Sequence, residues 1–205
     1  ATTAFFFLEH GSVTRAWKPS IAVAGIVTGI TFIHSMYVGN IWVATGDSPI
    51  IYRYIDWLIT IPLLTIQFYL VLSAVKKVSP ILFWKFLIAP LAMVLGCYAG
   101  EAGYISSFLG FVIWMVGWIY ILYEIFPGEA GRLFAKSTIN ELVTAFGKMR
   151  MIVTIGWTIY PLGYVFGYLT GGIDSNTLNV IYNFADFINK IAFGLVIWVA
   201  ARNQY

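Results

Sequence analysis

The strongest constraint on this chain is a repeated one: apolar stretches of about 20 residues, separated by short polar turns, recur from one terminus to the other. A stretch of that length crosses the hydrocarbon of a bilayer as one helix, since each residue rises about 1.5 Å and the layer is about 30 Å thick. Strands of a membrane barrel would alternate apolar and polar residues with period two, and these runs do not. Composition agrees: 60% of residues are hydrophobic and 10% charged, against roughly 25% charged in a soluble domain. The 205 residues accommodate six complete helices and part of a seventh. The expected fold class is therefore an all-α membrane protein, a seven-transmembrane-helix bundle with a truncated first helix, forming a single domain over 1–205.

The opening residues 1–8 are too short to span and lack the basic start of a cleavable signal, so they read as the last turns of the first helix. Helices are expected at 20–38, 49–75, 80–100 and 103–126, then from beyond Glu141 to about 168, and at 178–201. The segment 39–48 reads as a turn or small hairpin, with Pro49 opening the next helix, and Glu101 falls in a tight turn. Of the 12 basic residues, ten (Arg15, Lys18, Lys76, Lys77, Lys85, Arg132, Lys136, Lys148, Arg150 and Arg202) lie at or near one side of the bundle. The turns of the other side have none, which predicts an outside amino terminus and a cytoplasmic carboxyl terminus. The net charge of +3 is thus a matter of loops facing a bilayer, not of nucleic acid. Cys97 stands alone in an apolar run and reads as packing, so neither a disulfide framework nor a cysteine metal site is expected.

Ionisable groups at bilayer depth are costly, and each marks a functional site by default. Four qualify: Arg53, Asp56, Asp186 and Lys190. Lys190 is too deep to snorkel, and Asp186 shares its helix face at i−4. Arg53, Asp56 and Thr60 line a second polar face. One reading is a neutral quartet that pins two helices together. The other is a desolvated amine that forms a Schiff base with an aldehyde, with Asp56 and Asp186 as counterions. Trp57, Trp118, Trp157 and Tyr160 fall at about the depth of Lys190 and suit an apolar chromophore or a plain core, whereas Trp17, Trp42, Trp84 and Trp198 read as interfacial anchors.

At these residues the sequence resembles the microbial rhodopsins, and more closely the proteorhodopsin family. The run from Arg53 through Asp56, Trp57, Thr60 and Pro62 resembles that family's third helix, and Asn183 to Lys190 its retinal-attachment helix. Gly156, Trp157, Tyr160 and Pro161, Gly100 to Gly103, and Thr45 to Pro49 match as well. The resemblance implies all-trans retinal on Lys190 as a protonated Schiff base, Asp56 as counterion and proton acceptor, and Asp186 as second counterion. It implies Arg53 toward the exit, Thr60 positioning the acceptor, and Trp57, Trp118, Trp157, Tyr160 and Pro161 in the retinal pocket. Leu64 matches the colour-tuning position, where leucine is the green-absorbing choice. His34 matches a histidine that interacts with the counterion and often with a neighbouring protomer. A bacterial inner-membrane homo-oligomer of five or six follows, with no metal.

One position departs from the family pattern. Outward pumps of this family carry a carboxylic acid eleven residues after the acceptor, about 16 Å along the helix, and here that residue is Gln67. An amide cannot donate that proton. Either Gln67 is a tolerated substitution that keeps a hydrogen bond, or the Schiff base is reprotonated directly from the cytoplasm, slowly near neutral pH. Glu9, Glu124 and Glu141 are the candidates for a substitute route. Lys148 and Arg150 are expected to snorkel to the inner surface; facing the path, they would discourage proton entry. Sodium and chloride pumping do not fit, since Asp56 and Thr60 are both present. The preferred reading is a light-driven outward proton pump, not an enzyme. The alternatives are a slow photosensor acting on a soluble transducer and an inward proton transporter.

Overall fold

The computed structural model describes residues 1–46 and 50–204. Six helices are long and apolar enough to cross a membrane, and a short one precedes them. The order is α1 (Thr2–Glu9), α2 (Lys18–Thr45), α3 (Ile50–Ser73), α4 (Pro80–Glu101), α5 (Ser107–Ile125), α6 (Glu129–Ala135), α7 (Asn140–Thr154), α8 (Ile159–Tyr164) and α9 (Ser175–Asn203). A 3-10 turn (Gly156–Thr158) joins α7 to α8, and a π turn (Val165–Leu169) follows α8. Starts are encoded locally. Ser79 Oγ accepts from the Ile81 N–H ahead of Pro80, Ser106 Oγ from Leu109, and Asp174 Oδ1 from Thr177, each supplying a partner to an N–H that the helix cannot satisfy itself.

Three boundaries differ from expectation. The segment 39–45 is not a turn: α2 continues through it to Thr45 and stops at Gly46, whose φ of 72° lies in the left-handed region that glycine adopts without strain. The expected start at Pro49, with Asp47 and Ser48, lies outside the described residues. Glu101 is the last residue of α4, not part of a surface turn, and its side chain is buried. The polar segment after Pro127 contains the short helix α6.

The fifth of the six membrane-length stretches, Asn140–Leu169, is broken in its hydrogen-bond ladder. Pro161 has no N–H to offer the Trp157 carbonyl, so the helix tightens into the 3-10 turn just before it. The adjacent Gly156 carbonyl is partnered from α9, where Asn189 Nδ2 donates to it at 3.1 Å. A Cβ at Gly156 would stand 2.3 Å from Asn189 Oδ1, so only glycine admits this contact. Many large apolar side chains, among them Leu8, Ile33 and Val43, face outward, as a bilayer-facing surface requires. Trp42 and Trp84 share that outer surface. Trp17, expected as an anchor, is fully buried and donates to Gln204 Oε1.

Candidate functional site

Lys190 lies near the middle of α9 and is 4% exposed. Its Nζ donates to Asp56 Oδ2 on α3, to Asp186 Oδ2 at 3.2 Å one turn back on α9, and to Thr31 Oγ1 at 3.0 Å on α2. Three helices thus converge on one nitrogen. Thr31 Oγ1 also donates to Asp56 Oδ1 at 3.1 Å, and Thr60 Oγ1 reaches the Asp56 carbonyl at 3.0 Å and its Oδ2 at 3.4 Å. Asp186 is fixed from its far side by Trp57 Nε1, at 2.9 Å, and by the Tyr160 hydroxyl, at 2.5 Å. One amine and two carboxylates thus share a single hydrogen-bonded cluster, in which a proton on the nitrogen has two carboxyl groups within reach to receive it.

Beside Lys190 is a narrow cavity of about 20 Å³, lined by Trp57, Ile61, Leu64, Met93, Trp114, Trp118, Trp157, Tyr160, Pro161, Asp186 and Asn189. Trp118 is fixed by its indole N–H to the Val153 carbonyl at 3.1 Å, and Trp57 meets Tyr160 edge-on at 5.3 Å between ring centres. Rings immobilised in this way give a slot of fixed shape, apolar along its length and charged at the Lys190 end.

Arg53 stands apart from this cluster, so the four intramembrane charges do not form one quartet. Its guanidinium donates to Glu101 Oε2 at 2.6 Å, to the Tyr168 hydroxyl at 3.0 Å and to Asn179 Oδ1 at 2.9 Å. It lies over the rings of Tyr54, Trp57 and Tyr182 at 5.0–5.7 Å. Among the described residues Arg53 makes no ion pair with Asp56 or Asp186. His34 sits on α2 one turn beyond Thr31, and its Nε2 is buried without a hydrogen-bond partner. Gln67 is fully buried, and both ends of its amide lack partners. The hydrogen bond that one of the two readings gave to Gln67 is not made among the described residues. Cys97 is buried, with its sulfur 2.9 Å from the Tyr54 hydroxyl.

Sequence reasoning missed Thr31, Trp114, Met93 and Asn189, and missed Glu101 as an ion-pair partner. The signal for Glu101 was charge balance, because Arg53 stands toward the side of the bundle whose turns carry no basic residues. Thr31 had a weaker signal, one hydroxyl three residues from His34 on the same helical face. Glu124, a candidate for a substitute proton route, is committed elsewhere. It pairs with Lys85 at 3.3 Å and accepts the N–H groups of Glu129 and Ala130 at 2.7 and 3.4 Å.

Comparison with known proteins agrees with this geometry. The family model described as bacteriorhodopsin-like protein matches residues 1–204. The chain is 46% identical over 206 residues to the blue-light absorbing proteorhodopsin of Gamma-proteobacterium Hot 75m4, covering 100% of this chain and 82% of the relative. It is equally similar, 46% over 205 residues with the same coverage, to the green-light absorbing proteorhodopsin of Gamma-proteobacterium EBAC31A08. The crystal structure of the blue light-absorbing proteorhodopsin from Med12 superposes with a TM-score of 0.85 at 44% identity, covering 100% of this chain and 92% of that one. Six membrane-length helices and these relatives make the protein a multi-pass membrane protein. It belongs to the bacteriorhodopsin-like family, the seven-helix microbial rhodopsins, and within that family to the proteorhodopsins.

Proposed function

We propose that this protein is a light-driven outward proton pump that binds all-trans retinal on Lys190. The observation that carries this reading is a buried amine held between two carboxylates at the end of an aromatic slot. The residues suit the group: Lys190 would supply an amine for its aldehyde, the aromatic walls would take a polyene, and Asp56 and Asp186 would balance positive charge on the Lys190 nitrogen. When bound, retinal supplies a light-driven isomerisation that lowers the affinity of the Lys190 nitrogen for its proton. Every later step belongs to the chain itself. Asp56, in hydrogen-bond contact with Lys190 Nζ, takes the proton. Asp186 is held in place by Trp57 and Tyr160, which both donate to it. Thr31 and Thr60 hold the Asp56 carboxylate in line.

On the Arg53 side a second carboxylate is available. Glu101 gives one oxygen to Arg53, and its Oε1 has no hydrogen-bond partner, an open acceptor on the way out. The side bias of ten basic residues orients this end outward. Refilling comes from the other end, where Gln67 has no proton to give, so the Lys190 nitrogen takes its proton directly from the cytoplasm. We place the protein in a bacterial cytoplasmic membrane as a homo-oligomer of five or six, with His34 near the interface.

The test is a lightly buffered suspension of cells expressing the chain with all-trans retinal, followed with a pH electrode under yellow-green light. Acidification abolished by a protonophore is the expected result. Alkalinisation abolished in the same way would mean inward transport and overturn the role given to Asp56. A light response with no pH change would favour the photosensor reading.

A further inference from the structure

Arg150 is a cation without a carboxylate. It projects from α7 among three phenylalanine rings, its guanidinium carbon 4.6 Å from the ring centre of Phe126, 4.1 Å from Phe134 and 5.1 Å from Phe146. Its Nε is buried and unpaired. Lys148, two residues earlier, is exposed, so of the two basic residues only Arg150 turns inward. The clasp leads into the core: Phe146 stacks on Phe134 at 4.9 Å and meets Phe68 edge-on at 5.0 Å. Phe68 is the neighbour of Gln67 on α3.

The charged groups on every element packed here are engaged with other partners or turned away. On α5 and α6, Glu124 and Glu129 pair with Lys85, and Arg132 donates to the Pro127 carbonyl. Beyond α3, Lys76 donates to the Leu133 carbonyl. Lys77 and Lys136 add positive charge to the same side, Glu141 lies at the start of α7, and Arg202 of α9 lies near Glu9. Among the described residues none of these carboxylates pairs with Arg150. A guanidinium over aromatic faces is held in place but keeps its full charge.

We infer that Arg150 is a gate on proton uptake: clasped by Phe126, Phe134 and Phe146 over the approach to Gln67, its uncompensated charge repels the incoming proton and sets how fast the Lys190 nitrogen is refilled. Arg150 is a positioning residue that acts through the field it places on the route, and the inference rests on the direct uptake proposed above. Two unit charges roughly 12 Å apart at an effective dielectric constant of about 20 change such a rate by about tenfold.

The test is flash photolysis of the retinal-loaded protein in lipid vesicles from about pH 5 to 9, comparing the native chain with Arg150→Met and Arg150→Lys. Arg150→Gln takes the place of Arg150→Met should the latter not fold. The expected result is a late recovery that is about tenfold faster in Arg150→Met at each pH, a parallel shift of about one pH unit, with native rates in Arg150→Lys. The absorption band and the first proton transfer stay native in both. Coincident rate–pH lines for Arg150→Met and the native chain would overturn the gate alone. Equal acceleration in Arg150→Lys would also overturn it, because packing and not charge would then set the rate. A pH-independent recovery in the native chain would overturn direct uptake, and the gate with it.

Discussion

Around Arg53 the interior of the bundle is a network of oxygens and donors, whereas around Gln67 it is a plug of phenylalanine. Arg53, Glu101, Asn179 and Tyr168 are joined by hydrogen bonds of 2.6–3.0 Å, and the Tyr182 hydroxyl donates to the Tyr160 carbonyl at 2.9 Å. At the other end of α3, Phe68 meets Phe86, Phe146 and Phe193 with ring centres 5.0–5.8 Å apart. The Gln67 amide beside it is buried and unpaired, an arrangement that costs about 1–3 kcal/mol. A proton moves readily between oxygens within hydrogen-bond reach and poorly through hydrocarbon. In the proposed cycle the difference between the two ends makes departure easy at one and delivery slow at the other, with Lys190 at the boundary.

Removing the group that joins Lys190 to the polar end has the largest effect. In Asp56→Asn the proton has no carboxylate to enter, and light-driven acidification of a cell suspension falls to background. Making the apolar end resemble the polar one comes next. Gln67→Glu places a titratable donor where the amide stands, and recovery near neutral pH accelerates by roughly a hundredfold and loses its pH dependence, as read by flash photolysis. Unchanged recovery would mean that the plug, and not the missing acid, limits uptake.

Loosening the polar end is expected to matter less. Glu101→Gln leaves Arg53 paired only with neutral groups, and release to the medium, followed with a pH-indicator dye, lags the first proton transfer by about tenfold more than in the native chain. Thermal stability of the purified protein falls in the same variant, since breaking a buried ion pair costs about 3 kcal/mol. The smallest effect is at the surface of that end. Hydrogen bonds from the Thr177 hydroxyl, and then from its backbone N–H, hold the Asp174 carboxyl below the usual carboxylate range. A lowered value stabilises the fold above the ordinary carboxylate range and ceases to do so as pH falls through it. The Tm difference between the native chain and Asp174→Asn is therefore constant above about pH 5 and closes on acidification.

The bundle was legible in the sequence because a helix in hydrocarbon must satisfy its own backbone, so about 20 apolar residues permit one outcome. Boundaries were less legible at 39–45, where a glycine and polar residues imitate a turn, yet the helix continues to Gly46. For the candidate site, the i, i+4 spacing alone put Asp186 beside Lys190, and the structure brings Asp56 to the same nitrogen. Depth in the bilayer did not distinguish Arg53 from Asp56. They are three residues apart on one helix, but one turns to Glu101 and the other to Lys190.

What the sequence determined by itself is set by local rules: the number and length of the spans, the side on which basic residues gather, and the burial of Asp56, Asp186 and Lys190, because each follows from transfer into hydrocarbon one residue at a time. What only the tertiary structure decided is pairing. Glu101 with Arg53, Thr31 with Asp56, Asn189 with the Gly156 carbonyl and Arg150 with Phe126 and Phe134 each join residues from separate segments of the chain. No spacing along the chain encodes such contacts, since they depend on how each helix is rotated when its neighbours pack against it.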